Sequence, residues 1–241
     1  MYRIFALFCV VSVFKKPVSG AYAEHSPCKI DDSKCLTEYT RVFYDQFVEG
    51  DEKLGVKSSD PLNIDRIEGN LSDIHYTLTD SVLRGLKNCD FKSVEASEKD
   101  KQVTFRMYYP KALINGHYNV NGSLLGMRVY GDGPYMFELR EYWINVTADV
   151  EKTTDKDGLT TIQFKKFKIE ADLRGGFDFK VDNLLDGNKK LVESLFKVVR
   201  QNWKLLVDLF QMGPLEIGYK KLFQNMNKSL KHIPIDKFIQ Q

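Results

Sequence analysis

The sequence predicts an α+β fold, in which a long C-terminal helix is wrapped by a highly curved antiparallel sheet and a short N-terminal helix is pinned by a disulfide. Three observations predict it. Over 188–212 the polar residues Glu193, Lys197, Arg200, Gln201, Lys204, Asp208 and Gln211 fall on one narrow strip at helical spacing. The apolar remainder covers more than half the perimeter, wider than the roughly 100° stripe of an ordinary surface helix, so other parts of the chain must cover it. From Asp60 to Val181 the apolar period changes from helical to two, the pattern of strands with one wet face. Finally, Cys28 and Cys35 enclose the short loop CKIDDSKC directly before a helical pattern, and such a loop can close on itself.

The first segment, 1–23, reads as a secretory leader. Arg3 supplies the positive charge, 4–14 is an apolar run, and Ala21-Tyr22-Ala23 is a small-x-small cleavage signal. Lys15 and Lys16 between the run and the cleavage site are untypical and leave an uncleaved amphipathic anchor as the alternative. Cleavage removes three basic residues and no acid, which leaves 32 basic against 33 acidic side chains. That balance has none of the basic footprint of a nucleic-acid binder. Cys89 is left over as a buried free thiol, the rival being an intermolecular bridge. No paired Cys/His spacing suggests zinc.

A helix is expected over 34–49, with Asp31, Asp32 and Ser33 as N-cap candidates and Leu36, Tyr39, Phe43 and Phe47 on one face; Gly50 ends it. Strand alternation follows at Ile74-Tyr76-Leu78, at Val103-Phe105-Met107-Tyr109, at Tyr118-Val120 and from Met136 to Val150. Ile162 and Phe164 continue out of step as Phe167, Ile169 and Ala171, so a β-bulge is expected at Lys165-Lys166. Phe177, Phe179 and Val181 close the run. Glu98-Lys99-Asp100, Gly131-Asp132-Gly133-Pro134, Asp155-Lys156-Asp157-Gly158 and Arg174-Gly175-Gly176 read as the turns between strands. The 188–212 helix should break or kink at Gly213-Pro214, and a half-exposed helix over 215–232 should follow, with lysines on its outer side. Five regularly spaced charges exclude a membrane span for the 188–212 stretch. With no repeat or long linker, 24–241 reads as one domain.

Catalytic motifs are missing: no G-x-S-x-G, no H-E-x-x-H, and no phosphate-binding glycine loop. The four histidines are scattered, and Asp155-Lys156-Asp157-Gly158 lacks the further ligands of a calcium loop. Neither a catalytic residue nor a metal or cofactor site is expected. A curled sheet around a helix leaves an elongated apolar cavity, the usual character of a small-molecule site. Its expected lining is Phe105, Met107, Tyr109, Tyr118, Tyr142 and Ile144 from the strands, with Leu195, Val199, Trp203, Leu206 and Phe210 from the helix. Four sequons, at Asn70, Asn121, Asn145 and Asn227, are candidate glycosylation sites.

The order of these features resembles the insect takeout / juvenile hormone-binding protein family. The matching residues are the leader, Cys28 and Cys35, Asp60-Pro61-Leu62, Gly85-Leu86-Lys87-Asn88-Cys89, and Ala112-Leu113-Ile114-Asn115-Gly116-His117-Tyr118 leading through Gly122 to Gly131-Asp132-Gly133. The ending NWKLLVDLFQMGPLEIGYKKLFQNMNKSLKHIPIDKFI completes the set. The resemblance spans the mature chain and implies a tubular lipid-binding fold. It also implies a secreted, monomeric carrier of a small hydrophobic ligand, terpenoid, quinone or carotenoid-like, with no catalytic residues. Hormone carriers of the family have a second disulfide between the late sheet and the long helix; neither region has a cysteine here, which places the chain nearer the takeout branch. The alternative is an interaction module for a lipid surface or receptor, with transient contact there and no internal ligand.

Overall fold

The computed structural model describes residues 26–71, 73–124 and 126–240. The expected leader over 1–23 lies outside them. Helix α1 (Ser33–Glu49) is capped by Asp32, whose carboxylate accepts from the Cys35 N–H at 3.0 Å, and it ends at Gly50 with φ 85°. Cys28 and Cys35 form the disulfide that pins its start, and Cys89 is free. Seven strands form one antiparallel sheet: β1 (Leu62–Leu71), β2 (Ile74–Arg84), β3 (Asp90–Ser97), β4 (Gln102–Leu124), β5 (Met127–Thr154), β6 (Thr160–Leu173) and β7 (Phe177–Val181).

β4 and β5 form a ribbon that pairs along its whole length, from Gln102↔Asp149 to Leu124↔Met127. Each edge of the ribbon carries two partners in succession. Along β4, β3 pairs with 102–108 and β2 with 113–121, and β1 lies outside β2. Along β5, β7 pairs with 135–139 and β6 with 142–154. The sheet is thus two half-sheets, β3–β4–β5–β6 and β1–β2–β4–β5–β7, sharing one ribbon. At the join the register passes from Tyr109↔Tyr142 to Lys111↔Arg140 and skips Pro110 and Glu141, the latter with φ 52°. Proline has no N–H to give a ladder, and it sits where β3 has ended and β2 has not begun.

Gly131-Asp132-Gly133-Pro134 is not a turn, as its composition suggested. β5 runs straight through it, and the reversal lies at Leu124–Met127. These glycines serve close approach: a Cβ at Gly133 would meet the Asp182 carbonyl at 2.6 Å, and one at Gly131 the Tyr118 hydroxyl at 2.6 Å. The bulge at Lys165-Lys166 is present, between the pairs Ala148↔Phe167 and Val150↔Phe164.

After β7 come α2 (Lys189–Gln201), α3 (Trp203–Phe210) and α4 (Met212–Leu230). The expected helix over 188–212 is therefore two helices, broken at Asn202 (φ −117°, ψ 19°), whose side-chain amide donates to the Val198 carbonyl at 2.8 Å. α3 and α4 meet at Gln211, which keeps helical dihedrals (φ −66°, ψ −31°); Gly213-Pro214, where a break or kink was expected, follows directly in the first turn of α4, where proline's missing N–H costs no bond within that helix. Burial is also reversed from expectation. α2 buries only Leu195 and α3 only Leu206 and Val207, while α4 buries Gly218, Tyr219, Leu222, Phe223, Met226, Ser229 and Leu230. α4 packs against both β1 and β6, outer strands of opposite half-sheets, so the sheet curls around α4 rather than around 188–212.

Two edges of the first half-sheet are fastened by helix side chains. On β3, Ser33 Oγ donates to the Val94 carbonyl and the Val94 N–H donates to Thr37 Oγ1, both at 2.8 Å. On β6, the Phe164 N–H donates to Asn227 Oδ1 at 2.9 Å, and Asn227 Nδ2 donates to the Phe164 carbonyl at 2.8 Å. An open strand edge is a template for pairing with another chain, and these side chains occupy it. The C-terminal tail packs back: the Phe238 ring meets Tyr39 and Phe43 edge-on, and Ile239 bridges to Cys28. Asp60 joins two of the segments singled out in the sequence, its carboxylate accepting from the N–H groups of Gly85 and Lys87.

Candidate ligand cavities

Each half-sheet encloses one cavity. The first, about 1280 Å³, lies between α1, β3, the start of β4, β6, α4 and the tail. Its depth is apolar, with Phe91, Val94, Phe105, Phe164, Phe223 and Met226. Its rim is charged, with Glu98, Asp100, Lys101, Glu151, Lys152, Lys165 and Lys166. The second, about 360 Å³, is walled by β1, β2, the inner faces of β4 and β5, β7 and the three C-terminal helices. Apart from Gln211 and the tyrosine hydroxyls, its side-chain lining is carbon.

Tyr219 and Leu222 of α4 line both cavities, so the two meet at this helix. The Tyr219 hydroxyl lies 3.3 Å from that of Tyr109, and Tyr109 Oη reaches Met107 Sδ at 3.7 Å. Tyr44 Oη donates to the Leu86 carbonyl at 3.2 Å. Burial holds the phenols of Tyr44, Tyr109, Tyr142 and Tyr219 well above the ordinary tyrosine range. Tyr118 is pushed up to about 12, by burial first and then by Asp132 and Asp182. Cys89, half-buried as a residue, has its thiol pushed up to about 12 by desolvation. These groups stay neutral at physiological pH. The tyrosines line the cavities as hydrogen-bonding groups rather than bases, and Cys89 lines neither.

The expected lining residues are distributed between the cavities. Phe105 and Met107 face the first; Tyr109, Tyr118, Tyr142, Ile144, Leu195, Val199, Leu206 and Phe210 face the second. Trp203 lines neither: it is partly buried on α3, packed against the core. The break at Asn202, one residue before it, changes the phase that an unbroken helix would give. Sequence reasoning missed the α4 residues Tyr219, Leu222, Phe223 and Met226, although they form a helical apolar set. It also missed Phe177 and Phe179 of β7, whose alternation marked a strand and not a site. Asn227, one of the four candidate glycosylation sites, is half-buried with both ends of its amide bonded to β6. Asn70, Asn121 and Asn145 are exposed.

His117 is exposed and bonded to Asp132 Oδ1 at 2.8 Å. Asn119 holds the other carboxylate oxygen, and these two bonds keep the Asp132 carboxyl below its usual range. Among the described residues no group of His, Cys, Asp and Glu could hold a metal ion. Among them, too, no helix is long and apolar enough to cross a membrane.

Known proteins match this geometry. The profile of the haemolymph juvenile hormone binding protein (JHBP) family matches residues 4–240. The chain belongs to the JHBP family. Its relatives include the circadian clock-controlled protein daywake of Drosophila melanogaster, 26% identical over 226 residues, which cover 89% of this chain and 86% of that protein. Daywake of Drosophila yakuba is 27% identical over 223 residues, covering 88% and 85% respectively. The crystal structure of Takeout 1 from Epiphyas postvittana superposes with a TM-score of 0.85 at 28% identity, covering 90% of this chain and all of that one. The JHBP fold is a carrier fold for hydrophobic ligands, and its members are binding proteins rather than enzymes.

Proposed function

We propose that this chain is a secreted, monomeric, non-catalytic carrier of an elongated apolar molecule of the terpenoid, quinone or carotenoid type. The observation that carries the reading is the meeting of two apolar cavities at Tyr219 and Leu222. The charged rim of the first cavity suits the polar end of such a ligand, and the carbon-lined second cavity suits its chain. Affinity then comes from desolvation, at about 0.8 kcal/mol for each methylene removed from water. The tyrosine hydroxyls add orientation at small cost. Juvenile hormone is disfavoured, because Cys28–Cys35 is the disulfide present and Cys89 is free.

The test is native mass spectrometry of protein secreted from insect cells, followed by uptake assays with a prenyl quinone, geranylgeraniol and juvenile hormone. Expected are a mature chain beginning at Glu24, one bound ligand per monomer, and prenyl uptake exceeding that of the hormone. A secreted protein that carries nothing and takes up none of these probes overturns the proposal.

A further inference from the structure

The large hydrophobic residues left most open to water are Leu191, Leu205 and Leu209, at 54%, 53% and 52% exposure. All three lie on α2 and α3, and none lines a cavity. Within each helix the spacing puts exposed residues on one face: Leu191 with half-buried Val198 on α2, seven residues apart, and Leu205 with Leu209 on α3, four apart. The inner side of the same two helices, through Leu195, Phe196, Val199, Leu206 and Phe210, is a wall of the second cavity. These helices are therefore apolar on two sides, and one side meets solvent.

Charge gathers on the same helices. Lys189, Lys190, Lys197, Arg200 and Lys204 stand against Glu193 and Asp208, a surplus of three positive charges on a mature chain whose 32 basic and 33 acidic side chains nearly balance. Lys204 is bound to Asp172 at 2.6 Å and to the Leu173 carbonyl at 2.9 Å, which ties α3 to β6. Lys189, Lys190, Lys197 and Arg200 are exposed, and none is in an ion pair among the described residues. Arg200 rests over the Phe196 ring at 5.9 Å, so the free cations are the three lysines. Exposed leucines flanked by lysines without an ion-pair partner on amphipathic helices match the two-part chemistry of a bilayer surface: apolar insertion at the acyl boundary and attraction to anionic headgroups.

We propose that α2 and α3 dock on an anionic lipid bilayer and that this face is where ligand passes between membrane and second cavity. Docking places the cavity wall itself at the membrane, so an apolar ligand crosses without meeting bulk water. The docking stands independently of the carrier reading; only the transfer rests on it.

The test is co-sedimentation of the full mature protein with vesicles of phosphatidylcholine, alone or mixed with phosphatidylserine, with geranylgeraniol uptake in solution as a separate readout. One variant carries Leu191→Ser, Leu205→Ser and Leu209→Ser; the other carries Lys189→Gln, Lys190→Gln and Lys197→Gln. Expected is binding to the mixed vesicles that weakens with salt. It should fall roughly fivefold per lysine removed, on the order of a hundredfold for all three, and also fall in the leucine variant. Solution uptake should be unchanged in both. Absence of vesicle binding, equal binding to neutral vesicles, or binding that survives in either variant overturns the proposal. So does a wild-type dimer that the leucine variant dissociates, which would make a second copy the occupant. Loss of uptake in every protein alongside intact vesicle binding would sink the carrier reading and leave docking standing.

Discussion

Replacing Asn227 with alanine isolates the fastening of α4 to the sheet. Its amide makes two hydrogen bonds, at 2.9 and 2.8 Å, to the N–H and carbonyl of Phe164, beside the bulge at Lys165-Lys166. Phe164 is 9% exposed and lines the first cavity with Phe223 and Met226 of the same helix. Alanine leaves two backbone groups without their partner, at about 1–3 kcal/mol for each buried one. Water can reach part of this edge, so the sum should lie near 2–4 kcal/mol. For a domain of this size that lowers Tm by roughly 5–10 °C. The control is Ser229→Ala, which destroys the same sequon and leaves both bonds in place; it should cost less than about 1 kcal/mol. Thermal and urea denaturation of both variants, with peptide mapping of the secreted wild type, give the result. Equal destabilisation by the two variants, or a glycan found on Asn227, would refute the account of Asn227 as a structural amide.

Three further substitutions test the core and the cavity walls. Cys89 should resist alkylation in the native protein at pH 8 and react once it is unfolded, because its thiol is pushed up to about 12 from an ordinary 9.0. Above pH 9 the unfolded state releases that proton and the folded state keeps it, so stability falls as pH rises: this thiol contributes a loss of about 1 kcal/mol between pH 9 and 10, on top of the loss from the buried tyrosines, and Cys89→Ala should reduce the slope by that share in urea titrations. Trp203→Ala should lower stability by about 2 kcal/mol, as expected for a half-buried aromatic, and leave prenyl uptake intact; a loss of uptake in folded protein would put Trp203 back in the wall. Leu222→Trp adds bulk to the wall that both cavities share, so if one ligand spans the two, competition assays should show short prenyl chains still binding and long ones weakened by about tenfold or more; equal weakening of both would refute a ligand that spans them.

What was legible in the sequence follows from which interactions are local. The cap at Asp32, the stop at Gly50 and the bulge at Lys165-Lys166 depend on a few neighbouring residues, and each stands where the pattern put it. The strand faces were legible because a slip of one residue would expose the inner side chains of β4 and β5 to water. Gly131-Asp132-Gly133-Pro134 misled because glycine has two uses. It supplies turns, and it also admits close backbone approach; here the partner is the segment at Asp182, some fifty residues away in sequence, which no local window contains. The pairing of β7 with β5 rather than with its neighbour β6 is likewise non-local. The site was legible on the strands for the same reason as the fold. Its centre was not: Tyr219 and Leu222 matter because two cavities meet there, and that depends on how both half-sheets close around α4.

The misreading of 188–212 carries the most physical content. Its apolar arc is wide, and a wide arc in water calls for cover on several sides. The chain provides cover on one side, where Leu195, Leu206 and Val207 are buried, and leaves Leu191, Leu205 and Leu209 open. The better-buried helix is α4, whose apolar set is narrower. Width of the apolar face thus did not report depth of burial. A helix that walls a cavity needs an apolar inner face even though nothing solid packs there, and one that also meets a second apolar phase needs another on its far side. The break at Asn202 fits that division. A straight helix as long as α2 and α3 together would present its inner residues along one line, whereas two short helices can follow a curved cavity wall. The Lys204–Asp172 tie holds α3 to β6, whereas α2 buries a single residue.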